Sequence, residues 1–336
     1  MSSDFYLSVL IPVHNEETVL PELLNRVLRV LEDIPGGRHE IVFVDDGSSD
    51  TTLSQLLEAA HRDSRILVIS LSRNFGHQAA LTAGLDHVTG DAVVVMDGDL
   101  QDIPEAIPKF VEKYHLGYDV VYAQRVRRKE PLLLRVAYSA FYRLIGKLSE
   151  TQLPLDSGDF GLMSRRVIDQ LRQMPEHHRY LRGMRSWVGF RQIGISVERA
   201  ERQCGKSKYS LLRLMKLAAD GIFAFSTIPL RIAALLGATS MLLSALYALY
   251  ALYAKVFLQK SPQGFTALIV ILTFLSGVIL FFLGIIGEYV GRIYEETKGR
   301  PLYVVSHIEG RFKEEAHSIS GRRHAAKPVS EKNFVR

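Results

Sequence analysis

Ile41-Val-Phe-Val-Asp-Asp-Gly-Ser-Ser-Asp50 is the stretch on which the fold turns. Ile41–Val44 is a nearly continuous apolar run, as expected of a strand covered on both faces. Asp46–Asp50 supplies turn and N-cap chemistry for a helix over 51–62. Outward from that unit the pattern repeats. Leu7-Ser-Val-Leu-Ile-Pro12 reads as a strand, followed by a helix with apolar residues at Leu20, Leu23, Leu24, Val27, Leu28 and Leu31, the face of a surface helix. Ile66–Leu71, Ala92–Met96 and Asp119–Tyr122 read as three more buried strands. Strands alternating with helices predict an α/β fold with a mostly parallel sheet. Ligands of such sheets sit outside the carboxyl ends of the strands. Here those ends carry Pro12, His14, Asn15 and Glu16; Asp45 and Asp46; Ser72, Arg73 and Asn74; and Asp97 and Asp99.

The 336 residues suggest about two domains, and the apolar residues concentrate in the second half. Ile232–Leu258 carries no charge before Lys255, and Phe265–Gly287 carries none. Each exceeds the roughly 20 residues that span a hydrocarbon core. The short linker Gln259–Gly264 makes them a hairpin with both outer ends on one side. Arg and Lys are dense before the first span and after the second, which puts both flanks in the cytoplasm by the positive-inside rule. Residues 131–148 and 209–225 mix Leu, Phe and Tyr with spaced Arg and Lys, the pattern of basic helices in a membrane interface; packing within a basic protein is the alternative. Gly284, Gly287 and Gly291 lie on one face of the second span and suit close helix contact, including between copies. Glu288 and Arg292 are spaced to pair. The tail beyond about 313 has few apolar residues and reads as disordered.

Lys and Arg number 41 against 36 Asp and Glu, a formal charge of +5 that suits an anionic partner: lipid, phosphate ligand or nucleic acid. A single cysteine, Cys204, excludes a disulfide framework and a cysteine-based zinc site. The N-terminus lacks a basic n-region and a small-residue cleavage site, so it does not read as a signal peptide.

Asp97-Gly-Asp99 follows an apolar strand, and two carboxylates on such a turn suit a divalent cation bridging a diphosphate. Hard oxygen ligands favour magnesium or manganese, and Gln101 adds a third oxygen. Asp45 is placed to accept hydrogen bonds from a nucleobase or ribose. Ser48, Ser49 and Asp50 read as caps of the following helix, and Glu16 as either a cap or a nucleoside contact. His77, His177 and His178 read as polar surface.

Leu10-Ile-Pro-Val-His-Asn-Glu16, Val44-Asp-Asp-Gly-Ser-Ser-Asp50, Leu71-Ser-Arg-Asn-Phe-Gly76 and Met96-Asp-Gly-Asp-Leu-Gln-Asp102 together resemble a family 2 glycosyltransferase with the GT-A fold. The subgroup resembled is the polyprenyl-phosphate glycosyltransferases, such as dolichol-phosphate mannose synthase and the bacterial enzymes acting on undecaprenyl phosphate. The resemblance runs from about residue 6 to 305 and includes Gly287-Glu-Tyr-Val-Gly-Arg-Ile-Tyr294. Gly98 stands where the subgroup usually has Ala. Asp156-Ser-Gly-Asp-Phe-Gly161 is similar to the family's acceptor-side acidic motif, with Asp159 at the position of the catalytic carboxylate. By spacing alone, Asp156 through Asp159 would pass as an acidic turn before a helix at 165–173. Residues 199–209 resemble an acceptor-phosphate loop, in which Arg202, Ser207 and Lys208 form an anion nest. Arg135, Ser139 and Arg125 resemble further phosphate contacts. Gly183-Met-Arg-Ser-Trp187 differs from the Gln-x-x-Arg-Trp motif of processive synthases, and two spans are too few for a polymer channel.

The resemblance implies an inverting, metal-dependent transfer of a sugar from a nucleotide sugar to undecaprenyl phosphate. Donor contacts fall on Pro12, His14, Glu16, Asp45, Asn74 and Asp97, and the metal on Asp97, Asp99 and Gln101. UDP-glucose is the expected donor, with a UDP-aminoarabinose derivative, GDP-mannose or a galactose donor as alternatives. A different lipid acceptor and a non-catalytic nucleotide-sugar sensor are the rival functions. The implied partners are the nucleotide sugar, the lipid, the bilayer and further copies of the chain, with no nucleic acid. The domain map is a cytoplasmic catalytic domain over 1–208, an interface helix over 209–229, two spans within 230–291 and a cytoplasmic segment over 292–336. The expected location is the inner membrane.

Overall fold

A computed structural model describes residues 5–36, 39–125, 157–177, 179–197, 228–257 and 264–310. The expected interface helix at 131–148, that at 209–229 up to residue 227, and the end of the tail lie outside these. The first unit is one eight-stranded sheet. Its strands are β1 (Leu7–Val13), β2 (Glu40–Asp45), β3 (Ile66–Leu71), β4 (Ala92–Val95), β5 (Val120–Arg125), β6 (Ser157–Ser164), β7 (Gln192–Val197) and β8 (Val305–Glu309). They lie in the order β7-β5-β6-β4-β1-β2-β3-β8. β3, β2, β1 and β4 are mutually parallel, as are β5 and β7. β6 runs antiparallel to both of its neighbours, and β8 antiparallel to β3.

The helices α1 (Leu20–Glu32), α2 (Thr52–Arg62), α3 (His77–His87), α4 (Ile107–His115), α5 (Arg165–Gln173) and α6 (Leu181–Trp187) accompany this sheet. Successive residues of a strand point to opposite faces, and β1 shows why its sequence is apolar throughout. Val9 and Ile11 pack in one core with Leu20, Leu23 and Val27 of α1. Leu10 packs in the other with Leu81 and Leu85 of α3 and Ile168 and Leu171 of α5. Every residue of β1 is buried.

Three strands lay outside the sequence expectations. Ser157–Ser164, where spacing suggested an acidic turn before the helix, is the strand β6. Gly161 makes this pairing possible: a Cβ there would sit 2.5 Å from the Val121 carbonyl oxygen and 2.9 Å from the Tyr122 Cα. β7 lies on one edge of the sheet. β8 follows the apolar helices and pairs with β3, so the chain returns to this sheet after them. Tyr303 fastens the return by donating a 2.8 Å hydrogen bond to Asp86.

The second unit holds α7 (Ile228–Phe257) and α8 (Phe265–Thr297). Both are long and apolar enough to cross a membrane, with windows at Ala233–Ala251 and Phe274–Thr297. Glu288 and Arg292 pair as their spacing suggested, at 3.0 Å. A Cβ at Gly284, Gly287 or Gly291 would meet nothing within 4 Å among the described residues, its own helix backbone aside.

Gly161→Ala forces backbone apart rather than a flexible side-chain end. It is expected to destabilise the first unit by about 1–3 kcal/mol, the range for overpacking. Chemical denaturation of the full chain in detergent checks this, and a loss below about 0.5 kcal/mol would contradict the close β5–β6 approach.

Candidate active site

Four strand-end loops meet at the carboxyl edge of β1, β2, β3 and β4. Asp46, 4% exposed, joins three of them. Its backbone N–H donates to the Val13 carbonyl, and its carbonyl lies 3.0 Å from His14 Nδ1. Its carboxylate accepts from the backbone N–H groups of Phe75 at 2.7 Å and Gly76 at 2.9 Å. Gly47 permits this closeness: it has φ +64°, and a Cβ there would lie 2.5 Å from the Arg73 carbonyl carbon. Asp45 is buried beside Asp46 and accepts from Ser48 N–H and Ser70 Oγ. Pro12 ends inside β1, His14 and Asn74 are exposed, and Glu16 donates its N–H to Thr52 Oγ1 at 2.9 Å.

The N-cap of α2 is Thr51, with no side-chain cap bond, so none of the three expected residues occupies the cap; Asp50, one residue earlier, accepts from Thr52 N–H at 3.0 Å. Ser48 and Ser49 serve a different contact. Ser48 Oγ accepts from Asn15 N–H, and Asn15 Oδ1 accepts from Ser49 N–H. These bonds hold Asn15 at φ 57° at the end of β1, in the left-handed region where asparagine is tolerated.

The Asp97–Asp102 turn follows β4. Asp102 accepts from Asp97 N–H, and Asp99 accepts from Gln101 N–H, both at 3.1 Å. Gly98 packs against β1, and a Cβ there would lie 2.8 Å from Val13 Cγ1. Leu100 adopts φ 55° while almost fully buried, a strained conformation of the kind that gathers at functional sites. Among the described residues, no three His, Cys, Asp or Glu side chains gather into a metal cage. The oxygen donors of Asp97 and Asp99 nonetheless fit magnesium or manganese. Magnesium commonly takes one or two carboxylates and completes its shell with phosphate oxygens and water.

His77, expected as polar surface, lies between the two acidic motifs. It is the first residue of α3, directly after the Gly76 that Asp46 holds. Its Nε2 is 3.6 Å from Asp97 Oδ1 and 3.6 Å from Asp159 Oδ2. The carboxylates of the two motifs therefore approach within twice that distance. Burial lowers the pKa of His77, but Asp159 and Asp97 outweigh it and the net shift is upward.

Asp159 sits on β6 with its side chain 7% exposed. Arg182 of α6 grips it with two hydrogen bonds, Nε to Oδ1 at 2.7 Å and Nη2 to Oδ2 at 2.9 Å. Burial alone would raise the carboxyl pKa. The cationic neighbours His77 and Arg182 reverse that and hold it well below the usual carboxylate range. One turn further along α6, Arg185 is 3% exposed. Its pKa falls to about 10, chiefly through burial. Neither arginine was singled out from sequence, because a seven-residue helix gives too short a pattern to show which face is covered. The expected phosphate contacts Arg135, Ser139, Arg202, Ser207 and Lys208 lie outside the described residues, and for Arg125 only the backbone at the end of β5 is described.

Arg182→Gln leaves the Asp159 charge buried without its fork. The expected loss is about 2–4 kcal/mol at pH 7.5, somewhat less than for a fully enclosed pair because Arg182 is 32% exposed. The wild-type carboxyl is depressed, so its contribution is complete above the unfolded value near 3.9. In the variant Arg182 no longer helps His77 to offset burial, so the carboxyl rises relative to the wild type, and protonation relieves the strain as pH falls. The stability gap should therefore narrow from pH 7.5 toward about pH 4. Thermal unfolding across that range checks it, and a constant gap would refute the pairing.

Residues 8–172 match the family model for glycosyl transferase family 2, and 228–293 match that for the GtrB C-terminal hairpin. A Bacillus subtilis relative described as the uncharacterized glycosyltransferase YkcC is 43% identical over 311 residues, covering 92% of this chain and 96% of that one. The bactoprenol glucosyl transferase of Shigella phage SfX is 39% identical over 300 residues, covering 89% and 98%. The prophage bactoprenol glucosyl transferase homolog of Escherichia coli K12 is 38% identical over 304 residues, covering 90% and 99%. With its acidic motifs assembled at the strand ends and near full-length similarity to such relatives, this chain is a glycosyltransferase belonging to glycosyl transferase family 2.

Proposed function

We propose that the enzyme transfers a sugar from a nucleotide sugar, UDP-glucose first among the candidates, to the phosphate of undecaprenyl phosphate with inversion. The observation that carries this is the meeting of the Asp97-Gly-Asp99 turn and Asp159 across the His77 ring. It brings a diphosphate-side and an acceptor-side carboxylate to one place. The activity for which the phage and prophage relatives are named agrees with a polyprenyl acceptor and a glucosyl donor. Asp97, Asp99 and Gln101 would hold a divalent cation, which supplies Lewis-acid stabilisation of charge on the leaving diphosphate. Pro12, His14, Glu16, Asp45 and Asn74 line the strand ends where the nucleoside would bind.

Asp159 suits orientation better than proton removal. A phosphate monoester has its second pKa near 6 and is largely a dianion at pH 7. Passing its residual proton to a carboxyl below about 3.9 is uphill by more than about 2 units, or roughly 3 kcal/mol. Asp159 instead fixes Arg182 and His77 beside the path of the nucleophile. The acceptor phosphate then attacks the anomeric carbon opposite the leaving diphosphate, and proximity supplies much of the rate.

The membrane reading gains support from β8. β7 ends at Val197 and β8 begins at Val305 in the same sheet, so the chain between them leaves that unit and returns. Two crossings satisfy this and one does not. With Arg and Lys dense on both flanks, the catalytic unit lies on the cytoplasmic side.

Incubating the purified chain with undecaprenyl phosphate, a divalent cation and a panel of labelled nucleotide sugars, then extracting lipid, tests the reaction. Label in an acid-labile phospholipid supports it; label only in a diacylglycerol control, or none with any donor, overturns it. Asp159→Asn should lose most turnover throughout about pH 5.5–8.5, a range bracketing the phosphate pKa; recovery at the alkaline end would restore the base role. For topology, a cysteine at Ser261 should react with an impermeant thiol reagent in intact cells while Cys204 does not. Reaction at Cys204 would sink the hairpin orientation.

A further inference from the structure

Arg185 is a buried cation that the proposed reaction has not used. The residue is 3% exposed, yet among the described residues its guanidinium makes one long hydrogen bond, from Nη2 to the Gly158 carbonyl at 3.4 Å. Its Nε is buried with no hydrogen-bond partner among the described residues. The face of Tyr122 lies 5.3 Å from the guanidinium carbon, within cation–π range. Asp159, its nearest anionic influence, is already gripped by Arg182 on both oxygens. Arg182 cancels the Asp159 charge, and Arg185 leaves one positive charge in excess beside it. A buried charge without a counter-ion is destabilising by several kcal/mol. It is therefore a costly choice for packing alone, which an apolar side chain of similar volume would serve.

We infer that Arg185 is an anion receptor for a phosphoryl group, seated beside the Arg182–Asp159 pair and next to the Gly158 carbonyl. The inference rests on the proposed function for its two phosphoryl sources, the acceptor monoester and the donor diphosphate, and names a residue that binds one of them. A planar guanidinium offers forked donors to phosphoryl oxygens. Its present hold on Gly158 is long enough to be exchanged for a shorter, charge-assisted bond. The neighbouring pair helps: with Asp159 neutralised, a dianion meets no net repulsion there.

The test is equilibrium binding to the full chain in detergent, with geranyl phosphate and UDP as probes and geraniol and uridine as phosphate-free controls. Arg185→Met should weaken one phosphorylated probe by about tenfold or more, the scale of a charge-assisted hydrogen bond. Both controls should be unchanged, and the unfolding midpoint should equal or exceed that of the wild type. A loss confined to geranyl phosphate assigns the acceptor, and one confined to UDP the donor. Affinity for both probes within about twofold of wild type overturns the inference and leaves Arg185 a packing residue. If Arg185→Met fails to fold, Arg185→Lys decides: a several-fold loss for one probe supports the receptor, and wild-type affinity overturns it. Because these measurements need no turnover, a chain that binds as expected but transfers no sugar would sink the proposed reaction and keep the anion site.

Discussion

A single buried carboxylate, Asp46, ties the strand ends into a site. Strand ends in a parallel sheet are close in space, but their loops are not held together by the sheet itself. Asp46 supplies that hold with charge-assisted bonds to Phe75 and Gly76 N–H, each of a kind worth about 1.5–3 kcal/mol. The bonds set where α3 begins, and α3 begins with His77. The imidazole between Asp97 and Asp159 is thus placed by the residue directly after β2. Gly47 is the steric condition for this, since a side chain there would strike Arg73 and Asn74.

The electrostatics of the site divide by strand. The Asp97–Asp102 turn after β4 carries three carboxylates, Asp97, Asp99 and Asp102, which suits a cation. Asp159 on β6 is one strand away, yet two arginines of α6 surround it. That side is cationic overall and suits a phosphate. Antiparallel insertion of β6 beside β4 brings the start of β6 to the crest where β4 ends. A parallel strand there would have placed its start at the opposite edge. The reversal of one strand is therefore what lets Asp159 face the Asp97–Asp102 turn across His77.

The parts of the fold legible in sequence were those covered on both faces. β1, β2, β3 and β4 are mostly apolar because their residues feed two cores, one shared with α1 and the other with α3. β6 begins Ser-Gly-Asp and passes through Gly161, so turn chemistry masked a strand whose glycine is demanded by its neighbour. β8, Val-Ser-His-Ile-Glu, is a short, partly exposed edge strand with weak patterning. In the site, Asp97 and Asp99 were readable from their position after β4. Asp159 was readable only through family resemblance. His77 is exposed, as expected of polar surface, but a lone histidine after glycine carries no periodic signal, and only its tertiary placement between two carboxylates gives it meaning. Ser48 and Ser49 looked like caps, but Asn15 claimed them from 33 and 34 residues away.

The position of β8 also binds the apolar helices to the integrity of the sheet. An exposed edge strand presents unpaired backbone groups and invites pairing with other chains. β3 would be such an edge, as Ile66–Leu71 is six apolar or small residues that are all buried. β8 covers it, and Val305 and Ile308 pack on the core beneath. The residues that cover this edge come after α7 and α8 in the chain. Residues 1–197 alone would therefore leave the β3 edge bare, even though they hold every described residue of the candidate site. In this architecture the apolar pair is an insertion within the catalytic unit rather than an appendage to it.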